Sequence, residues 1–196
     1  NYAAIKKTDV ANGPGVRVSL FVSGCTHHCK GCFNEEAWDF SYGKLFDQHA
    51  VKEIMEALEL TISGASPFWG GAFEPENQAV LVGVLRHVRE HYPQKTIWCY
   101  SGYLFDEDML KGRLGDPSIT MEMLGYLDVL VDGEFVLSEK DLNLRFKGSR
   151  NQRIIDVPAL SRKRGLSFGT VRNLPKAKQT VEDDAPFFRG LFSISG

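Results

Sequence analysis

The 196-residue sequence has no apolar run long enough to cross a membrane and no large excess of either charge. Its beginning lacks the basic flank and the apolar stretch of a secretory signal. Because the formal net charge is only -2, the composition gives no reason to expect binding to nucleic acid or to a membrane surface. Hydrophobic residues make up 43% of the chain, which is enough for an ordinary core. We therefore expect a folded, soluble protein of the cytoplasm.

Cysteine is also scarce, and its distribution is uneven. The chain has four cysteines, Cys25, Cys29, Cys32 and Cys99, of which the first three fall within eight residues. A disulfide framework would spread an even set along the chain. Clustered thiols in a reducing compartment usually hold a metal, and thiolate is a soft ligand. The pattern therefore predicts zinc, copper or an iron-sulfur cluster, with Cys99 left out as a small buried hydrophobic residue.

The end of the chain differs in charge from the rest. Residues 1–156 contain 16 basic and 22 acidic side chains, whereas residues 157–196 contain 7 and 3. Glycine and proline also interrupt any regular pattern beyond the boundary. We therefore predict a core domain over residues 1–156 and a basic, loosely packed extension over residues 157–196. The basic run Arg162–Arg164 is expected to be solvated.

Within residues 1–156, short apolar runs alternate with amphipathic stretches, a pattern that predicts an α/β fold. The expected strands are Val16–Val22, Leu60–Ser63, Lys95–Tyr100 and Leu127–Val131, and the expected helical stretches are Val51–Leu58, Asn77–His91, Asp106–Leu114 and Met121–Leu124. Such alternation predicts a small, open, barrel-like and mainly parallel sheet with helices packed on it. Sheets of this kind carry their chemistry in loops at the carboxyl ends of strands, and the cysteine cluster directly follows the first predicted strand.

The cysteines follow the pattern C-x3-C-x2-C, which supplies three thiolates from one loop. A closed zinc site needs four protein ligands, whereas a 4Fe-4S cluster held by three cysteines leaves one iron open to a small molecule. Gly24 and Gly31 fit a loop that bends tightly around a bulky cluster. The alternative is a structural zinc site with His27 or His28 as its fourth ligand.

The residues around the cysteines narrow this prediction to one family. Residues 1–156 resemble the anaerobic ribonucleoside-triphosphate reductase activating proteins of the radical S-adenosylmethionine (radical SAM) superfamily. The matching segments are Asn12–Arg17, Phe21–Cys25, Gly31–Asn34, Trp98 with Ser101–Tyr103, Asp128–Gly133, and Gly148–Ser149 with Asn151–Arg153.

The resemblance implies a partial TIM-type barrel and a definite chemistry. Cys25, Cys29 and Cys32 would ligate a 4Fe-4S cluster, and the open iron would bind S-adenosylmethionine (SAM). One electron from the cluster would split SAM into methionine and a 5′-deoxyadenosyl radical, which would abstract hydrogen from a glycine of the reductase large subunit. Gly31, Cys32 and Phe33 match positions that approach the adenine in relatives. A flavodoxin-like or ferredoxin-like protein would donate the electron.

The chain departs from the family where relatives have Gly-Gly-Asp/Glu-Pro after the second strand, a motif that holds the SAM amino group. The match that we prefer is Gly64, Ala65 and Ser66 before Pro67, because Leu60–Ser63 would then supply the strand. A second register uses Gly70 and Gly71, with Ala72 at the acidic position and Glu74 beyond it. Neither register has an acid in place, so three interpretations stay open: this activase, an activase for another glycyl radical enzyme such as pyruvate formate-lyase, or a non-catalytic metal-binding module.

A second motif lies at the end of a predicted helix. His87, Glu90 and His91 have the H-x-x-E-H spacing of some zinc peptidases. At 100° per residue, both histidines fall at the border of the apolar face and Glu90 points away from it. We therefore predict the surface end of a helix at this position and no peptidase site.

Overall fold

The computed structural model describes residues 1–61 and 67–168, with the backbone alone at residues 67–69. The strands are Tyr2–Asp9 (β1), Arg17–Val22 (β2), Pro67–Gly70 (β3), Trp98–Tyr100 (β4), Val129–Asp132 (β5) and Arg153–Asp156 (β6). The helices are Gln48–Leu60 (α1), Pro75–His91 (α2), Pro117–Tyr126 (α3) and Val157–Arg164 (α4). Short helical turns lie at Glu35–Trp38, Phe105–Met109 and Leu137–Glu139.

The strands form one sheet in the order β1-β2-β3-β4-β5-β6. Neighbours from β2 to β5 are parallel, whereas β1 and β6 pair antiparallel at the two edges. Each parallel strand is added on the same side of the previous one, so right-handed crossovers place α1, α2 and α3 on one face. The α/β fold and the mainly parallel sheet are confirmed, and the sheet of the described residues is open.

The main core lies between the sheet and these helices. Side chains of a strand alternate between faces, and in β2 Val18, Leu20 and Val22 join this core. Asp47 caps the start of helix α1, because its carboxylate accepts hydrogen bonds from the N–H groups of His49 (2.9 Å) and Ala50 (3.1 Å). Helix α2 begins with Pro75 at a position that has no need of an N–H donor.

The opposite face of the sheet is covered by irregular chain. Trp98, Tyr100 and Val131 form a second buried cluster there, and the ring of Phe146 lies 5.5 Å from that of Trp98. Fully buried Arg17 donates to the carbonyl of Thr96 (2.7 Å) and lies over the Trp98 ring. Burial lowers its pKa to about 10, so it stays charged at neutral pH and ties the β1–β2 hairpin to β4.

The predicted strand at Leu60–Ser63 is wrong at its start, because Leu60 is the last residue of α1 and Thr61 lies in no strand. Ile62 and Ser63 lie outside the described residues, and the next described strand is β3, Pro67–Gly70. The helix ends where the Thr61 hydroxyl donates to the carbonyl of Leu58 (3.1 Å). A short apolar run at a helix end has the same composition as a strand, which is why the pattern misled us. Gly64, Ala65 and Ser66 lie outside the described residues.

Residues on both sides of the predicted domain boundary are in contact. Helix α4 begins directly after β6, and the Asp156 carboxylate caps it by accepting from the N–H of Ala159 (2.8 Å). Val157 is buried, and Leu166 and Phe168 pack on the main core. How the chain divides into domains stays a prediction. Within the described residues, no helix has both the length and the hydropathy of a membrane span.

Candidate iron-sulfur and cofactor site

The cysteine loop starts at the carboxyl end of β2, as predicted. Gly24 adopts a φ of +90°, and a Cβ there would lie 2.2 Å from the Phe40 ring. The N–H of Gly24 donates to the carbonyl of Ala37 (2.9 Å), and that of Cys25 donates to Trp38 (3.0 Å). The loop therefore closes on the helical turn that follows it, and only glycine fits at its first bend.

The three clustered cysteines are partly exposed, whereas Cys99 is 1% exposed and packs in the main core. The N–H of Cys32 donates to the carbonyl of Cys29 (3.0 Å), which curls the loop between them. Burial raises the pKa of Cys25 to about 11 and raises that of Cys29. These two thiols are therefore protonated at neutral pH until a metal displaces the proton.

At least two of the three sulfur atoms are farther apart than the ligands of one zinc ion. With Zn–S bonds of about 2.3 Å, tetrahedral thiolates lie about 3.8 Å apart. In the described residues the only group of three or more potential ligand residues whose ligand atoms all lie within 4.8 Å of one another is His87, Glu90 and His91, so the three sulfur atoms do not form such a group. A cluster that places each thiolate on a different iron accepts a wider spacing.

Both histidines of the cysteine loop contact other side chains. The Nδ1 of His27 lies 2.9 Å from the Glu134 carboxylate, and its ring packs on Tyr103. The His28 ring lies 4.7 Å from that of Trp38. Both side chains are engaged elsewhere, which disfavours a structural zinc site.

Glu74 is the residue of the site that the preferred sequence register missed. It is 1% exposed, and one carboxylate oxygen accepts from the N–H (2.8 Å) and the hydroxyl (3.0 Å) of Thr26, next to Cys25. The other oxygen accepts from the Tyr103 hydroxyl (2.9 Å). Burial and this hydrogen bond raise the pKa of Tyr103 to about 12, so it remains a donor. Among the described residues no lysine or arginine forms a salt bridge with Glu74.

Glu74 reaches the cysteine loop because two turns approach very closely. A Cβ on Gly71 would lie 1.6 Å from the carbonyl oxygen of Gly24, so the turn after β3 can pack there only with glycine. Asn77, in the first turn of α2, then donates its amide to the carbonyls of Gly71 (2.8 Å) and Ser23 (3.1 Å). This amide bridges the loops that follow β2 and β3.

A cavity of about 360 Å³ opens beside the cysteine loop, on the face of the sheet without helices. This volume lies within the range of small-molecule sites. Phe33 is 74% exposed and its ring makes an edge contact with Phe21 (6.4 Å). The residues that line the cavity include Gly31, Cys32, Phe33, Tyr100, Gly148 and Gln152. The three residues predicted to approach adenine thus lie together at one small-molecule cavity.

Asp132, at the carboxyl end of β5, serves the fold. It is fully buried, and its carboxylate binds Arg153 (Oδ1 to Nε, 2.9 Å) and the N–H of Phe105 (2.9 Å). Arg153 and Arg164 both contact Asp106 (2.7 and 2.6 Å). Two motif segments that the sequence singled out, around Asp132 and Arg153, therefore meet in an ionic network in which Asp132 is fully buried and the arginines are partly exposed.

Comparison with known proteins agrees with this geometry. A family model described as a 4Fe-4S single cluster domain matches residues 11–155. The anaerobic ribonucleoside-triphosphate reductase-activating protein of Haemophilus influenzae is 40% identical over 160 residues, which are 78% of this chain and 95% of the relative. The protein of the same name from phage T4 is 37% identical over 79% of this chain and 92% of the relative. The one from Escherichia coli K12 is 35% identical over 78% of this chain and 96% of the relative. The chain belongs to this family.

Membership of the family confirms the resemblance found in the sequence and the iron-sulfur character of the domain. The comparisons assign no role to any single residue. Cys32 and Phe33 line the cavity, and Cys25 and Cys29 lie in the same loop as Cys32, whereas Gly64, Ala65 and Ser66 lie outside the described residues. The roles of these residues stay predictions. One feature of the sequence points to Glu74. It lies directly before Pro75, the first residue of α2, and a few residues after the Gly70–Gly71 pair, so it occupies the N-cap position of the helix after a tight turn.

A larger groove of about 580 Å³ lies elsewhere, between the start of α1 and the start of α2. Tyr2, Phe46 and Leu81 contribute to its walls. No cysteine lines it, so its size does not make it the reactive site.

Proposed function

We propose that this chain activates an anaerobic ribonucleoside-triphosphate reductase by generating a glycyl radical on its large subunit. The observation that carries the proposal is that Cys32 both belongs to the three-thiol loop and lines a cavity of small-molecule size. A cofactor in that cavity would lie against the cluster.

Cys25, Cys29 and Cys32 are the proposed ligands of a 4Fe-4S cluster. The wide sulfur spacing and the engagement of His27 and His28 support this assignment over zinc. When bound, the cluster and SAM would together supply the one-electron chemistry that cleaves SAM reductively and starts hydrogen abstraction. The protein's part is to hold both and to keep water away.

For the cationic amino group of SAM we propose Glu74. A carboxylate that is buried without a cationic partner is costly, and a cationic ligand would offset that cost. Its neutral donors, Thr26 and Tyr103, orient it beside Cys25. This assignment adopts the second register, because Gly70 ends the observed strand β3 and Gly71 directly follows it.

Phe33 and Tyr100 are proposed to enclose the adenosine part of SAM. Phe33 presents an exposed aromatic ring at the cavity, and Gly31 offers backbone without a side chain. Burial raises the pKa of Tyr100, so its hydroxyl stays neutral. Aromatic faces of this kind stack on a flat base.

The electron would come from a flavodoxin-like or ferredoxin-like protein, and the cytoplasm is the proposed compartment because its thiols stay reduced. The test is anaerobic cluster reconstitution, addition of SAM and reductant, and measurement of 5′-deoxyadenosine. Cys25→Ser should abolish the product, and Cys99→Ser is the matched control that should retain it.

The partner is tested by adding an anaerobic ribonucleotide reductase and recording the electron paramagnetic resonance spectrum. A glycyl radical doublet is expected. A doublet that forms only with pyruvate formate-lyase would instead indicate the other activase. The absence of 5′-deoxyadenosine from fully loaded protein would indicate a non-catalytic module, the interpretation that the missing family acid favours.

A further inference from the structure

The end of α2 carries three potential metal ligands that the proposed function does not use. His87, Glu90 and His91 each place one ligand atom within 4.8 Å of the other two. The sequence predicted a surface helix end, with both histidines at the border of the apolar face and Glu90 pointing away from that face. The surface position is wrong for His87, which is 1% exposed, and Glu90 places a carboxylate oxygen within 4.8 Å of a ring nitrogen of each histidine.

The helix itself creates this arrangement. Residues three and four apart are neighbours on a helix surface, so His87 lies beside both Glu90 and His91. The two imidazole rings have centroids 4.2 Å apart. Carbonyl groups at the end of a helix also carry partial negative charge, which favours a cation there.

One hydrogen bond prepares His91 for metal binding. Its Nδ1 lies 3.0 Å from the carbonyl oxygen of His87. A carbonyl only accepts, so Nδ1 carries the proton, and in neutral imidazole the Nε2 then holds the lone pair. Metal-binding histidines commonly have their second nitrogen fixed in this way.

From this geometry we infer that His87, Glu90 and His91 form a binding site for a divalent transition metal, with Zn²⁺ as the ion that fits best. Two imidazoles and one carboxylate are ligands that zinc accepts. Bonds of about 2.0 to 2.1 Å would bring the three ligand atoms to about 3.4 Å from one another, and they already lie within 4.8 Å of one another. Water would fill the remaining position.

The site is separate from the iron-sulfur site. Helix α2 begins beside the cysteine loop and runs from Pro75 to His91, so at 1.5 Å per residue its ends are about 24 Å apart. The metal would therefore stabilise the carboxyl end of α2 and would take no part in SAM chemistry. The inference does not depend on the proposed function.

The test uses cluster-loaded protein, in which iron occupies the cysteines. Anaerobic calorimetric titration with ZnCl₂, followed by counting of zinc and iron, should give one saturable zinc per chain with no loss of iron. His91→Gln and Glu90→Gln should each weaken zinc binding at least tenfold. The matched controls are His49→Gln and Glu59→Gln, which alter exposed residues of α1 and should bind zinc as the original protein does.

His87 is buried, so His87→Gln could unfold the helix end, and zinc X-ray absorption on the unsubstituted protein gives a second measurement. Nitrogen and oxygen scattering around zinc is expected. Sulfur scattering, release of iron, or zinc binding that is unchanged in both His91→Gln and Glu90→Gln would overturn the inference. The absence of saturable zinc would also overturn it.

Discussion

Replacement of Glu74 by glutamine is the most direct test of how the proposed site holds SAM. The substitution keeps the size of the side chain but removes the buried negative charge. It also puts an amide NH₂ where one carboxylate oxygen now accepts from Thr26 or from Tyr103, at 2.8 to 3.0 Å. The cationic end of SAM would lose its charged partner.

The expected loss follows from the strength of that contact. A hydrogen bond to a charged group contributes about 1.5 to 3 kcal/mol. Each 1.4 kcal/mol or so is a factor of ten, so Glu74→Gln should weaken SAM binding about tenfold to a hundredfold. The matched control is Glu76→Gln, an exposed acid two residues along the chain, which should leave the affinity unchanged.

The assay is calorimetric titration of cluster-loaded protein with SAM, with iron counted in the same samples. Iron content separates two roles of Glu74, which are to bind SAM and to orient the cysteine loop through Thr26. If Glu74 only orients the loop, Glu74→Gln should lower the iron content and leave the SAM affinity of the loaded protein unchanged. The first sequence register predicts instead that Ser66→Glu tightens SAM binding. If Ser66→Glu tightens it and fully loaded Glu74→Gln binds SAM normally, the assignment of Glu74 is refuted.

Three further outcomes are expected. Cys25→Ser should lose the iron and Cys99→Ser should keep it, as measured by metal content after reconstitution. Asn77→Ala should lower the free energy of unfolding by about 1 to 3 kcal/mol, since buried carbonyls lose their donor; denaturant titration measures this, and an unchanged midpoint would contradict the bridging role. A chain that ends at Asp156 should be less stable than one that ends at Phe168 by about 1.5 to 3 kcal/mol for the buried Val157 alone, as measured by denaturant titration; equal stability of the two chains would contradict the observed packing.

The position of the reactive loop could be predicted from the sequence because it depends on local order. A buried strand, a glycine and three closely spaced cysteines occur in sequence, and a parallel sheet places such a loop at a strand's carboxyl end. The predicted strand Val16–Val22 differs from β2 by one residue. The edge strand β1 was missed because its middle is exposed and its pattern is weak.

The contact between Glu74 and Thr26 could not be predicted in the same way. The two residues are 48 positions apart, and their contact depends on the close approach of Gly71 to Gly24. No periodicity encodes such an approach. The burial of His87 could not be predicted for the same reason. Helical spacing predicted that His87 and His91 lie one turn apart on α2, but the burial of His87 depends on how the helix packs on the rest of the chain.

The proposed assignment of Glu74 also gives a physical reason for Ala72, the position at which the second register of the family resemblance implies an acid. Ala72 is fully buried in the main core, so a carboxylate there would lie among apolar side chains with no partner. The turn folds back on itself, with the N–H of Ala72 donating to Gly70 (2.8 Å) and that of Glu74 to Gly71 (3.0 Å). The fold thereby directs the first side chain inward and the second towards Cys25. We infer that an acid at position 74 takes the place of the one that relatives carry earlier in the turn, and Ala72→Glu should accordingly destabilise the protein without improving SAM binding.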